Sequence, residues 1–159
     1  MVRLLWSMLL ALAAISAHAE TAENAVTAAV ADTASTAAAL SSGLTELNPV
    51  GAAGTVVLKV VAMAYIGQLP EEDRAYPYSL ASSIWGGAAA NNLCWLTGAG
   101  PLCLVLGIVT GRYLWNSGEE SRTYWASCKV QRLGSPSADC GRAPEGQKPE
   151  TEQALAQVP

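Results

Sequence analysis

Charged residues are scarce in this sequence, and histidine is nearly absent. Only 14% of the 159 residues are charged and 51% are hydrophobic, with a net charge of -4. A soluble domain usually carries about 25% charged residues. The apolar residues also form long runs, which indicates that lipid is the solvent for much of the chain. There is no basic patch for nucleic acid, so nucleic acid is excluded as a partner.

The single histidine, His18, lies in a segment that we expect to be removed. Residues 1–19 have the three parts of a secretory signal peptide: a positive Arg3, an apolar run at residues 4–15, and an Ala-His-Ala cleavage site at 17–19. The alternative is an uncleaved anchor helix. Cleavage leaves no histidine for a Ser-His-Asp triad or a metal site. We therefore expect no enzyme activity, no metal and no cofactor.

Apolar segments follow the signal sequence, separated by connectors that break helices. Segments of about 17 to 25 residues suit a bilayer core of about 30 Å, and backbone in lipid must satisfy its own hydrogen bonds, so each segment is predicted to be a helix. Residues 70–77 are predicted to form a charged loop in water, and residues 98–101 a tight turn between the last two segments. The four segments are residues 21–42, 51–69, 79–96 and 102–115.

Composition changes sharply after the fourth segment, where Ser, Gly, Pro and charged residues dominate. We predict three regions: a signal peptide at 1–19, a transmembrane helical domain at 20–116 and a hydrophilic extracytoplasmic tail at 117–159, disordered from residue 142. The predicted fold class is thus all-α, an integral membrane bundle of about four transmembrane helices with a disordered polar C-terminal tail. Within it, Gly107 and Gly111 form a small-x-x-x-small pattern, which favours close packing inside the bundle over a dimer interface.

Threading and cysteine chemistry are linked. An exported signal leaves Glu20 outside, so four crossings put the turn at residues 98–101 inside and the tail outside, in the periplasm of a bacterial inner-membrane protein. An oxidising exterior favours a disulfide in the tail, whereas cysteines at the inner turn should stay reduced. A rival threading omits residues 21–42 as a span. It puts the turn outside and the tail inside, so the disulfide is then expected between the cysteines that flank the turn. The tail disulfide candidates are Cys128 and Cys140, and the cysteines that flank the turn are Cys94 and Cys103.

Polar residues inside the apolar segments need a reason, because charge in a span is costly. Asp32 and Lys59 lie at similar distances on either side of the connector at residues 43–51, about 20 Å from it at the rise of an α-helix, so antiparallel packing predicts an ion pair. The asparagines of the third segment could donate to this pair or to the connector. The full predicted cluster is Asp32, Thr36, Glu46, Asn48, Lys59, Asn91 and Asn92.

Part of this pattern resembles a family. Residues 32–36 read Asp-Thr-Ala-Ser-Thr, residues 46–51 read Glu-Leu-Asn-Pro-Val-Gly, and Lys59 follows. The pattern resembles small bacterial inner-membrane proteins of unknown function, in which an Asp- and Thr-containing helix precedes a Glu-x-Asn-Pro corner and a second apolar helix. The resemblance covers residues 32–59 only. It implies the architecture and the choice of residues, and it implies no activity.

Two functions remain open on the sequence. The first is a non-enzymatic scaffold or accessory subunit of the cell envelope, partnered by the lipid bilayer and by another membrane or envelope protein, in which the polar cluster holds helices in register. The second is an ion- or proton-conducting or transport element that uses the same cluster. An enzyme ranks third, because Ser79, Ser82 and Ser83 have no evident base.

Overall fold

Helices account for nearly all of the described structure. The computed structural model describes residues 21–45 and 50–135, and in these residues the chain forms five helices and no strand. The all-α class is therefore confirmed. The predicted signal segment at 1–19 and the predicted disordered region from 142 lie outside the described residues. The helices are α1 (Thr21–Ser41), α2 (Gly51–Gln68), α3 (Glu71–Trp95), α4 (Leu102–Ser117) and α5 (Glu119–Gly134).

The longest helix, α3, is the centre of the bundle and packs mainly against α1 and α4. Its buried positions carry only small side chains, and so do those of its two main neighbours apart from Asp32 of α1. Most of the core is thus built from Ala, Gly and Ser, which allow helix backbones to approach closely. The buried small residues of α3 are Ala75, Ser79, Ala81, Ser82, Gly86, Gly87, Ala89 and Ala90.

The backbones of α3 and α4 lie very close to each other. A Cβ added at Gly87 would lie 2.7 Å from the carbonyl oxygen of Gly107, and one added at Gly111 would lie 2.9 Å from that of Ser83. Neither backbone can yield without separating the helices. The prediction that Gly107 and Gly111 pack inside the bundle is confirmed.

The third helix begins earlier than the sequence suggested. We expected residues 70–77 to be a loop, but α3 starts at Glu71 and runs through Pro77. Three acidic residues occupy its first turn, where the partial positive charge of a helix N-terminus favours carboxylates. Pro77 lies in the second turn, where it cannot donate a hydrogen bond to the carbonyl oxygen of Asp73, but the helix continues through it. The turn at residues 98–101 does join α3 and α4 as predicted, with Gly98 at φ +76° and Gly100 at φ +59°.

The first part of the predicted hydrophilic tail, where the sequence analysis predicted no helix, forms the helix α5. Its Trp125 and Cys128 are buried against Ala75 at the start of α3. Two ion pairs join the same helices at the surface, Lys129 to Asp73 at 2.7 Å and Arg132 to Glu72 at 3.0 Å. The polar composition of this segment therefore reflects a helix that packs on one side only.

The ion pairs of α5 also affect proton binding. The hydrogen bond and the charge of Asp73 raise the pKa of Lys129 above its ordinary 10.5. The stabilisation from this contact is therefore complete below that value and is lost only as the pH rises through the raised pKa. Partial burial lowers the pKa of Arg122, whose guanidinium lies 3.9 Å from the ring centre of Trp115.

Large apolar side chains lie mostly on the outside of the bundle. The outer surfaces of α2 and α4 are nearly continuous Val, Leu and Ile, whereas buried large residues are few in the described chain. Among those residues, α2 alone is long and apolar enough to cross a membrane by length and composition, so four spans are not confirmed. The exposed side chains on these two helices include Val56, Val57, Leu58, Val60, Val61, Leu102, Leu104, Val105, Leu106, Ile108 and Val109.

Substituting Gly107 tests the close packing of α3 and α4. In Gly107→Ala the new Cβ would lie 2.9 Å from the carbonyl oxygen of Gly87, so we expect a loss of about 1–3 kcal/mol in unfolding free energy from overpacking. Thermal unfolding in detergent measures it. Gly134→Ala is the matched control, because it is also helical and its Cβ would meet nothing within 4 Å. Equal stability of the two variants would contradict this packing.

Candidate functional site

A buried ion pair joins α1 and α2. The Lys59 Nζ lies 2.7 Å from the Asp32 Oδ2, and the two side chains are only 6% and 8% exposed. Lys59 Nζ also donates to the Thr33 Oγ1 at 3.1 Å. The Thr33 hydroxyl in turn donates to the carbonyl oxygen of Ala29 at 2.8 Å. The ion pair predicted from helix rise is confirmed, and its Thr33 partner was not predicted.

Asn92 of α3 completes the cluster from the other side. Its Nδ2 donates to the Thr36 Oγ1 at 3.0 Å and to the Asp32 Oδ1 at 3.3 Å. The Ser35 Oγ lies 3.4 Å from the same nitrogen and itself donates to the backbone carbonyl of Asp32. Each carboxylate oxygen of Asp32 thus has one donor. Three helices meet at this carboxylate, which makes it the junction of α1, α2 and α3.

The predicted cluster residues separate into three groups. Asp32, Thr36, Lys59 and Asn92 come together. Asn91 does not join them, because the next residue along a helix is turned by about a quarter of a revolution. It lines a neighbouring cavity instead. Glu46 and Asn48 lie outside the described residues, so their part in the cluster stays a prediction.

Two residues of the site, Thr33 and Ser35, were not in the predicted cluster. Thr33 and Ser35 were visible in the motif at residues 32–36, but only Thr36 shares the helical face of Asp32 at a spacing of four. The structure brings them in by different routes. Thr33 reaches the Lys59 ammonium, and Ser35 folds back to the backbone of its own helix. The sequence did contain one indication for Thr33: its hydroxyl-bearing side chain directly follows the buried charged residue Asp32.

Two of the serines considered as nucleophiles form hydrogen bonds to the backbone of their own helix. Ser79 and Ser82 are buried, and their hydroxyls donate to carbonyl oxygens of their own helix, Ser79 to Ala75 at 2.8 Å and Ser82 to Tyr78 at 3.0 Å. The one buried lysine of the described chain is held by Asp32. In residues 21–45 and 50–135 no group of three or more His, Cys, Asp or Glu side chains is placed to hold a metal.

A disulfide closes the hairpin of α3 and α4. It joins Cys94 to Cys103, with 5.1 Å between the two Cα atoms. We expected two thiols here, and the structure does not bear that out. The threading that we preferred predicted thiols from the compartment alone, whereas the rival threading, without residues 21–42 as a span, predicted this disulfide. Cys128 is disulfide-bonded as well. Its predicted partner, Cys140, lies outside the described residues.

Comparison with known proteins adds no identity. No known protein family, no curated protein and no solved structure matches this chain. The resemblance at residues 32–59 therefore rests on the motif alone.

A double-mutant cycle at Asp32 and Lys59 tests the ion pair. Removing one partner leaves a buried charge without compensation, so Asp32→Ala and Lys59→Ala should each cost about 3–5 kcal/mol. The apolar double variant, Asp32→Ala with Lys59→Leu, should recover most of the loss, and the charge reversal, Asp32→Lys with Lys59→Asp, should still fold. Thermal unfolding of the detergent-solubilised protein measures all four.

The surface pair supplies the matched control for this cycle. Lys129 and Asp73 are also 2.7 Å apart but well exposed, so the corresponding alanine variants should change stability little. Additive losses at Asp32 and Lys59 would mean that the two residues do not interact.

Proposed function

We propose that this protein is a non-enzymatic, multi-pass membrane scaffold or accessory subunit of the bacterial cell envelope. The observation that carries the proposal is an inverted distribution of side chains. Small and polar residues fill most of the described core, and Val, Leu and Ile cover the outer faces of α2 and α4. In water so large an apolar surface would promote aggregation. In lipid it is the normal arrangement, since small residues mediate helix contacts there.

Helix lengths support a bundle of four spans in the inner membrane. The first four helices have 21, 18, 25 and 16 residues. From Ala75 to Cys94 α3 extends about 29 Å, which matches a hydrocarbon core of about 30 Å. Tyr76 and Trp115 stack edge to face at one end, with ring centres 5.4 Å apart, as interfacial anchors would. In this arrangement α5 lies beyond the bilayer on the same side as that aromatic pair.

The two disulfides favour opposite orientations. The Cys94–Cys103 bond lies at one end of α3 and Cys128 packs at the other. Only one side of an inner membrane is oxidising. An export signal followed by four spans puts α5 and the tail in the periplasm. That threading places the Cys94–Cys103 disulfide on the reducing side, whereas the threading without residues 21–42 as a span places it in the periplasm.

Cysteine labelling tests location and orientation together. The protein should stay in the membrane pellet after alkaline extraction. In intact cells the four-span threading predicts that Cys128 resists alkylation until reductant is added, and the threading without residues 21–42 as a span predicts the same of Cys94 and Cys103. Peptide mass spectrometry distinguishes the sites. Oxidation of both pairs in cells would rule out a hairpin of α3 and α4 that crosses the membrane.

The scaffold interpretation draws on how completely the buried charges are satisfied. Lys59 is held by Asp32 and Thr33, and Asp32 by Lys59 and Asn92. A conducting element needs ionisable groups that exchange protons or ions with water. A neutralised pair that is closed off from solvent instead fixes the register of helices. The α5 helix and the tail would then present a surface to an envelope partner.

A conducting or transport element is the second candidate, because one observation favours it. A cavity of about 430 Å³ opens beside the cluster, and both Thr36 and Asn92 line it. Asn92 therefore lies between the cavity and the carboxylate of Asp32. Four spans are few for a transporter, so this function would require oligomerisation.

The apolar double variant separates the two functions. If the protein is a scaffold, Asp32→Ala with Lys59→Leu should fold, keep the mass of the native complex in mild detergent, and leave any cellular phenotype intact. Native gel electrophoresis and co-purification measure the complex. A monomer with no partner would count against the scaffold. Proton or ion flux in proteoliposomes that is abolished by Asp32→Asn would establish the conducting function instead.

A further inference from the structure

A cavity of mixed polarity lies between the C-terminal ends of α1 and α3. Its volume of about 430 Å³ falls within the roughly 300–1,000 Å³ of typical ligand pockets. Hydroxyls and carboxamides occupy part of its wall, and aliphatic and indole groups occupy the rest. The described lining consists of Thr36, Ala39, Leu40, Leu44, Thr45, Asn91, Asn92 and Trp95.

The polar wall has unused hydrogen-bonding capacity. Asn92 donates through Nδ2 to the buried cluster, but its Oδ1 accepts no hydrogen bond from the described residues. The side chains of Asn91 and Thr45 likewise have no hydrogen-bond partner within the described chain, although both face the cavity. Two carboxamides and a hydroxyl can thus both donate to and accept from a ligand.

Charge and shape narrow the class of ligand. No charged side chain appears in the described lining, and the nearby carboxylate of Asp32 is already paired with Lys59. A charged ligand would find no counter-charge among these residues, which favours a neutral one. Leu40, Leu44 and Trp95 are partly exposed on the rim. These three apolar side chains offer a surface along which a hydrocarbon chain can lie.

We propose that this cavity binds the neutral head of a glycerolipid. The ester and hydroxyl groups of a monoacyl- or diacylglycerol would bond to Asn91, Asn92 and Thr45, while its acyl chain lies along Leu40, Leu44 and Trp95. The proposal rests on the membrane location for the supply of lipid. Binding itself can be measured in detergent, where that location is not needed.

Native mass spectrometry of the purified full chain tests the site. A monoacylglycerol, added to the protein in a maltoside detergent, should appear as a single bound adduct. Asn91→Leu removes the carboxamide at nearly constant volume and does not touch the buried cluster, so apparent affinity should fall about 5-fold for one hydrogen bond lost. Thr45→Val should give a similar fall. Asn116→Leu, the same change at an exposed position at the far end of α4, is the control and should bind normally.

Three outcomes would overturn the proposal of a lipid site. Equal binding by Asn91→Leu, Thr45→Val and the parent protein would place the lipid elsewhere. Equal or tighter binding of a phosphate-bearing lipid with the same acyl chain would reject the neutral class. Absence of any adduct, with the protein still resisting alkaline extraction from membranes, would reject the lipid site and leave the membrane proposal standing. Release by alkaline extraction would instead count against the membrane proposal.

Discussion

The position of α2 depends on the ion pair between Asp32 and Lys59. This helix buries only two side chains, Lys59 and Ile66, and the rest of its surface is apolar and largely exposed. Burial of an ammonium group is unfavourable unless a counter-charge and hydrogen bonds compensate it. Since the compensating groups come from α1, and since α3 supplies Asn92 to the same carboxylate, the pair determines where α2 attaches.

Contact between α1, α3 and α4 has a different physical basis. Small residues bury little apolar area, but they let helix backbones approach until carbonyl oxygens lie where a Cβ would otherwise be. Dispersion between closely packed backbones then holds the bundle together. The same choice of residues leaves the large side chains with no place inside, so they face outward. The apolar exterior and the small-residue interior are thus two consequences of one packing mode.

The level of a residue along its helix could be predicted from the sequence, but the rotation of the helix about its axis could not. Counting residues from the connector placed Asp32 and Lys59 at the same level, and antiparallel packing of α1 and α2 then brought the two side chains together. The same counting put Asn91 and Asn92 at one depth and could not say which of them faces α1. That choice depends on which face of α3 carries the small residues that pack on α1. Glycines and alanines cover several faces of this helix, so no single face stands out in the sequence.

The α5 helix was missed for a related reason. Its composition is polar, and the sequence analysis assigned it to a hydrophilic tail without predicting a helix there. The two buried side chains that fix it, Trp125 and Cys128, are three residues apart and share one narrow face against Ala75. A pattern of two apolar positions is too short to stand out in a charged segment. Its partners on α3, Asp73 and Glu72, lie more than fifty residues earlier, so only tertiary structure relates the two sets.

Asn92 ties the ion pair to the cavity. Its Nδ2 is directed to Asp32 and Thr36, and a planar carboxamide that fixes its nitrogen fixes its oxygen as well. The hydrogen bond to the ion pair therefore determines the orientation of the Asn92 Oδ1, which is a hydrogen-bond acceptor beside the cavity. A ligand that donates to that oxygen would strengthen a hydrogen-bond chain that ends at Lys59, since linked hydrogen bonds polarise one another. Occupancy of the cavity and attachment of α2 would thus be coupled through one side chain, without any ion crossing the bundle.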